Sequence, residues 1–227
     1  WLPASKIVHV KPGAFYGSRS VDFEGTAKLE ESLPVVWLPQ DEIGNSPSTP
    51  IGLDVGPYKG QMIHGEVTNG GIKRVYVEKV NGAYQGALFR FTQGLEAGVN
   101  RILWAPNGDL VVGGIGSSGN WAHTGKLWYG LQSLRYNGRS VFEMLSVSSR
   151  SDGFEIEFTE SIKEGQNVNL QDFVIKQWRY EPTKEYGGPK LDIEDLEIER
   201  FQLSEDRKKI YVSLPKLKEN RVVYFRI

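Results

Sequence analysis

The chain contains no cysteine. Disulfides, thiolate catalysis, cysteine-ligated zinc and c-type haem attachment within this chain are therefore excluded. Methionine is scarce, at 2 residues, and histidine is limited to 3. No apolar run approaches the roughly 18–20 residues of a membrane-crossing helix, so no membrane span is expected. A basic surplus is missing too. The 27 Lys+Arg stand against 28 Asp+Glu, which argues against a nucleic-acid partner, because such proteins carry a basic patch or stripe. The sequence opens on Trp1 with no signal-peptide pattern, and a processed or truncated chain is expected on that ground.

Glycine and aromatic residues are abundant. The 227 residues include 26 Gly, 6 Trp, 10 Tyr and 10 Phe, and a glycine share of about 11% exceeds the usual ~7%. Glycine and aromatics with little alanine predict many short strands and turns, hence an all-β fold. The composition is uneven. Residues 1–150 hold 22 Gly and five of the Trp, whereas residues 151–227 hold four Gly and only Trp178. The charged fraction rises from about 17% to about 38% between them. Two domains are expected, 1–150 and 151–227, joined across the polar run Ser146-Val-Ser-Ser-Arg-Ser-Asp-Gly153.

The first segment repeats itself. One unit runs from Gln61-Met-Ile-His-Gly65 through a glycine-rich loop to Lys73-Arg-Val-Tyr-Val-Glu-Lys-Val80, then Asn81-Gly82, then Ala83 to Phe91. The next runs from Asp109-Leu-Val-Val-Gly-Gly114 through a second glycine-rich loop to Gly125–Tyr136, then Asn137-Gly138, then Arg139 to Leu145. Asn-Gly between alternating strands is a strong hairpin signal, since both central residues of a type I′ turn need positive φ. A strand–loop–strand–turn–strand unit recurring at about 50 residues is the pattern of a β-propeller blade. Asn100-Arg-Ile-Leu-Trp-Ala-Pro-Asn-Gly-Asp-Leu-Val-Val112 adds a strand–turn–strand hairpin inside it. About two and a half units are present, fewer than the four or more blades that close a propeller. A partial propeller is therefore expected, completed by missing blades or another chain; a plain antiparallel sandwich is the competing reading. In the second segment, Gly153-Phe-Glu-Ile-Glu-Phe-Thr159 alternates strictly. With 172–180, 196–203, 209–214 and 221–227 it predicts a small Ig-like sandwich.

Most chemical motifs fail on inspection. Gly114-Ile-Gly-Ser-Ser-Gly119 matches a dinucleotide fingerprint in letters, but no helical pattern follows to carry the phosphate. His9, His64 and His123 lack metal-ligand spacing, and a lone strand histidine such as His64 reads first as a packed, hydrogen-bonded residue. Three polar loops remain: Gln40–Pro47, Thr68–Arg74 and Gly113–Lys126. Loops on a rigid scaffold carry function, and glycine lets backbone approach a ligand closely. Asn120, Trp121 and His123 could stack on and hydrogen-bond a sugar ring; alternatively Trp121 and Trp128 fill space between blades.

Phe15-Tyr-Gly, Pro34-Val-Val-Trp-Leu-Pro39, Gly60-Gln-Met-Ile-His-Gly65, Arg90–Gly98, Ala105-Pro-Asn-Gly108, Val112-Gly-Gly-Ile-Gly116 and Gly125-Lys-Leu-Trp128 together resemble the last blades of glucose/sorbosone dehydrogenase-like propellers. These are large secreted, quinoprotein-like bacterial proteins, often fused to a cytochrome c module. The tail, with Gln177-Trp-Arg-Tyr180 and Glu185-Tyr-Gly-Gly-Pro-Lys190, resembles the Ig-like segment that follows such a propeller. The resemblance implies a six-bladed propeller, of which this chain holds the last two to three blades. It implies pyrroloquinoline quinone (PQQ) and Ca²⁺ on the top face and oxidation of a sugar or polyol. The hydride-abstracting histidine and the calcium ligands would lie in earlier blades, outside this chain. A quinone-contacting lysine is expected near Thr68-Asn69, which points to Asn69 and Lys73. Cations are expected just before the Ala-Pro-Asn-Gly hairpin, which points to Asn100 and Arg101. A periplasmic, outer-surface or extracellular location is implied as well. Two functions remain open: a sugar or polyol oxidoreductase with its catalytic half upstream, or a non-catalytic propeller that binds carbohydrate or docks a partner.

Overall fold

The computed structural model describes residues 2–116, 123–182 and 187–227. The fold is all-β and consists of several antiparallel sheets, none of them closed. An N-terminal arm supplies β1 (Ser5–Ile7) and β2 (Val36–Leu38), paired as a ribbon. Between them lies one helical turn, Phe23–Thr26, whose N-cap Asp22 accepts a hydrogen bond from the Gly25 amide. A four-stranded sheet comes next in chain order: β3 (Ile51–Leu53), β4 (Gln61–Gly65), β5 (Ile72–Val80) and β6 (Ala83–Thr92). A three-stranded sheet succeeds it, again in chain order: β7 (Gly98–Trp104), β8 (Leu110–Ile115) and β9 (Tyr129–Leu134). The facing sides of the two sheets share one core, in which Leu53, Ile63 and Ile72 meet Val99, Ile102, Leu110 and Val112.

The two Asn-Gly pairs behave differently. Asn81 (φ 49°) and Gly82 (φ 85°) both take positive φ and join β5 to β6, as a type I′ hairpin requires. At the second pair only Gly138 (φ 75°) does so. The Asn137 side chain instead accepts the Arg139 amide at 2.9 Å, a local turn that competes with the hairpin. The expected strand from Arg139 to Leu145 therefore does not form beside β9. The chain leaves that sheet, and β10 (Met144–Arg150) pairs with β11 (Gly153–Phe158).

The remaining strands are β12 (Val174–Arg179), β13 (Leu191–Asp195), β14 (Arg200–Leu203), β15 (Lys209–Ser213) and β16 (Val222–Arg226). They form two sheets with β10 and β11, in the orders β10-β11-β15-β14 and β13-β12-β16. Alternation decides which side is apolar. Ile156, Phe158, Ile210 and Val212 of one sheet face Ile175, Val223 and Phe225 of the other, and Phe154 meets Phe225 edge to face at 5.1 Å. The strand β13 is absent from the sequence reading. Its acidic stretch Leu-Asp-Ile-Glu-Asp looks like a loop, but as an edge strand it can turn those groups to water.

A polar seam joins the two halves. Arg74 on β5 is fully buried. Its Nη1 donates to the Leu145 carbonyl at 2.7 Å and to Gln61 Oε1, and its Nη2 donates to the Met144 carbonyl at 2.6 Å. The guanidinium also lies over the rings of Phe89 and Tyr58, at 4.3 and 4.9 Å. Tyr76 Oη with Ser148 Oγ, and the Ser149 amide with Glu78, extend the seam at 2.9 Å each. Removing one member of such a buried set strands the others without partners. Arg74→Met should therefore cost about 3 kcal/mol in urea unfolding and split one transition into two. A loss below about 1 kcal/mol with a single transition would show that the seam carries little of the stability.

Candidate functional site

The β4–β5 connection is built around two consecutive left-handed glycines, Gly70 (φ 75°) and Gly71 (φ 71°). A Cβ on Gly71 would lie 2.1 Å from the Thr92 carbonyl, and one on Gly70 would lie 2.2 Å from the His123 ring. Both positions therefore need glycine on steric grounds as well as for φ. The tight loop presses His123 against the end of the sheet and brings the Glu66 side chain under the arm. One Glu66 oxygen, Oε1, accepts four backbone N–H groups: Asn45 at 3.1 Å, Ser46 at 2.5 Å, and Thr68 and Asn69 at 3.3 Å each. The other, Oε2, is buried without a partner.

His64 and Lys73 sit directly opposite each other on β4 and β5, which places them on one face of the sheet. Both are fully buried. Lys73 Nζ donates to the Gly70 carbonyl at 2.6 Å. His64 Nδ1 donates to the Gly65 carbonyl at 2.9 Å, which leaves Nε2 as a bare acceptor. Asn69 Oδ1 and His123 Nδ1 are likewise buried without partners. The cluster thus holds four unsatisfied polar atoms, a concentration that native interiors avoid unless water or a ligand completes it.

Burial sets its charge state. It pulls Lys73 down to about 8, helped by the nearby Arg90 charge and opposed by Glu66. It pushes the Glu66 carboxyl up, against the N–H groups of Ser46, Asn45 and Asn69 and the charge of Lys73. Burial also lowers His64, and it lowers His123 with help from Lys126 and Lys73. Near neutral pH Lys73 therefore still carries its proton and the two imidazoles are uncharged, while burial favours the neutral form of Glu66 more than water does.

Of the residues expected from sequence, Asn69, Lys73 and His123 come together here. Asn120 and Trp121 lie outside the described residues. Asn100 and Arg101 sit on β7 and do not join the cluster through any described hydrogen bond. Arg101 is exposed, and its guanidinium turns to the Asn100 carbonyl and Oδ1 at 2.9 and 3.1 Å. Sequence reasoning missed Glu66 entirely. The one available signal was an acid set into the Gly65–Gly71 loop. His64 is packed and hydrogen-bonded as the plain reading holds, but with one nitrogen unanswered.

PQQ carries several carboxylates and needs cations arranged around them. The one fully buried cation on this face is Lys73, which already donates to Gly70 and lies beside the Glu66 carboxyl with its unpartnered oxygen, while the nearby Arg90 is committed to the Glu42 carbonyl. These residues do not suit the quinone. Among the described residues no group of three or more His, Asp or Glu could hold a metal ion. Comparison with protein-family models, curated proteins and solved structures returned no match.

Lys73 makes the cluster's stability depend on pH. Up to about pH 8 both states carry the proton, and folding must desolvate an ammonium. Between about 8 and the ordinary 10.5 only the unfolded chain holds it, so Lys73 contributes rising stability across that window. Lys73→Met should accordingly stabilise more at about pH 7.5 than at about pH 10. The gap between variant and parent should shrink by about 2 kcal/mol in denaturant titrations at the two pH values. A gap independent of pH would mean that the folded lysine titrates normally.

Proposed function

We propose that this chain contributes the terminal blades of a β-propeller and an Ig-like sandwich, that the sandwich begins with β10 at Met144 and not after residue 150 because β10 pairs with β11, and that the β4–β5 loop face binds a neutral sugar or polyol. The observation that carries the ligand reading is the set of unpartnered buried atoms at one loop end: Glu66 Oε2, Asn69 Oδ1, His64 Nε2 and His123 Nδ1. Three of these, the two oxygens and His64 Nε2, are acceptors, and Lys73 supplies N–H donors beside them. Vicinal hydroxyls both donate and accept, so they match such a set.

Two features support the architecture. The four-stranded and three-stranded sheets are consecutive meanders that stack face to face, as neighbouring blades do. The far face of β7–β9 leaves Leu103, Tyr129 and Leu131 exposed, where a further blade would pack. In the second half, the sheets take the strands in the order first-second-sixth-fifth and fourth-third-seventh. That is the Ig-type order A-B-E-D and C′-C-F, with an added C′ strand and, among the described residues, no G strand. The resemblance to sugar-oxidising propellers favours carbohydrate as the ligand. The poor fit of the cluster to PQQ favours the binding reading over the oxidoreductase one.

Calorimetric titration of the chain with glucose, sorbitol, and PQQ plus Ca²⁺ tests this. A sugar or polyol should bind, and Asn69→Ala should weaken it at least about tenfold, the effect of one lost ligand hydrogen bond at a buried site. PQQ should not bind. Absence of any sugar heat, or an affinity untouched by both Asn69→Ala and His123→Ala, would refute the site. Saturable PQQ binding would restore the oxidoreductase reading.

A further inference from the structure

Glu66 sits where the arm, the end of β4 and the β4–β5 loop meet, and its two oxygens are served differently. Oε1 collects the amides of Asn45 and Ser46 from the arm and of Thr68 and Asn69 from the loop, whereas Oε2 is buried without a partner. Glu66 bridges to Pro47 directly after β4, so the backbone is still extended there. His64, two positions back, therefore shares its side of the chain. His64 Nε2 and Asn69 Oδ1 are buried acceptors with nothing to accept. A carboxylate among acceptors has no donor to turn to, but a carboxylic acid carries its own. The charge that acts on Glu66 is Lys73 on β5, whose Nζ is committed to the Gly70 carbonyl. Arg90 on β6 acts on Lys73, and Lys126 acts on His123. From the arm, Asp41 is engaged by the Asn45 side chain at 2.6 Å, and from β7 the Val99 amide meets the Glu66 carbonyl at 3.0 Å. Burial pushes the Glu66 carboxyl up against the opposing pull of Lys73 and the amides.

We propose that Glu66 is a proton switch for this face, in which a proton on Oε2 and a ligand hydroxyl compete for the same oxygen. With the proton, Oε2–H donates to Asn69 Oδ1 or His64 Nε2 while Oε1 keeps its amides, and the cluster completes itself. Without the proton, Oε2 and its neighbouring acceptors all need a donor from outside, which a ligand hydroxyl supplies. The competition rests on the sugar-or-polyol reading; the proton on Glu66 does not. The folded chain holds this proton to a higher pH than the ordinary 4.5 of a glutamate. Its contribution to stability is therefore present in acid and is lost as pH rises through the raised value in the folded chain. Ligand binding runs the other way, weakest in acid and stronger towards neutrality.

Glu66→Gln tests this, because glutamine keeps the accepting oxygen and carries a permanent donor in place of the acid proton. In urea unfolding the variant should be more stable than the parent at about pH 7, and the gap should close towards about pH 4.5. His64 and His123 affect parent and variant alike, and Lys73 keeps its proton over that range, so the change in the gap reports Glu66. Carbon-13 titration of the carboxyls, with Glu66 assigned as the signal the variant lacks, should place its midpoint above the ordinary glutamate range. Calorimetry with sorbitol should show affinity at least about fivefold weaker at the acid end. By reciprocity, saturating sorbitol should move the Glu66 midpoint down. A gap that ignores pH, or a Glu66 midpoint at or below the ordinary range, overturns the proposal. So does an imidazole that takes up the proton in place of Glu66. Equal sorbitol affinity at both ends overturns the competition alone. Absence of sorbitol heat at either end removes the ligand reading and the competition with it, while the stability gap still decides where the proton sits.

Discussion

The molecule depends on how one buried arginine is satisfied. Arg74 has no exposed surface, and a guanidinium out of water is costly unless its donors are answered. The answers come from backbone carbonyls of β10, and this fixes β10 against β4 and β5. The two carbonyls belong to neighbouring residues with opposite allegiances. The Met144 side chain packs on the sandwich core, and the Leu145 side chain packs on the core between the two preceding sheets. One strand thereby serves two interiors. Period-2 alternation makes that possible, and Arg74 holds the shared strand in register. The Nε atom stays unpartnered, with the rings of Tyr58 and Phe89 over the guanidinium in place of a hydrogen bond.

Much of this was legible in the sequence where local chemistry decides. Asn81-Gly82 predicted its hairpin because the dipeptide and the flanking alternation agreed. Asn137-Gly138 carries the same letters and makes no hairpin. Its flank holds Arg139 and Ser140 in place of an alternating strand, and the Asn side chain is spent on the Arg139 amide. The chain beyond this turn is recruited by a distant partner, β11, and by Arg74. Neither influence is visible in a window of a few residues. The alternating Gly153–Phe158 was recognised for the opposite reason: its periodicity is its own. The edge strand β13 shows the converse weakness. An edge strand can stay polar, so composition alone could not separate it from a loop.

The candidate site was half legible. Asn69, Lys73 and His123 drew attention as polar residues beside glycines, and the Gly70-Gly71 turn does bring them together. Glu66 escaped because its role comes from the amides of Asn45 and Ser46, about twenty positions upstream, which no spacing rule connects to it. Asn100 and Arg101 stand on β7 ahead of the hairpin, as the sequence suggests, and strand geometry keeps them apart from the cluster. Val99, which enters the core, and Arg101 straddle a register shift on β7, and the bulge leaves Arg101 on the open side of the sheet.

Lys73 and Arg74 are consecutive on β5, so the pleat sends them to opposite faces of one sheet. Both are fully buried cations, yet their surroundings differ. Arg74 meets two carbonyls, an amide oxygen and two aromatic rings, a set rich enough to make the position structural. Lys73 meets one carbonyl and stands among acceptors that have no donor. A protein of marginal stability tolerates such a deficit only where something else completes it. The contrast across a single strand is therefore the strongest reason to look for a ligand on the Lys73 face and for architecture on the Arg74 face. The informative feature of the Lys73 face is a shortage of hydrogen-bond partners, which residue types alone do not display, so no catalytic motif marks it in the sequence.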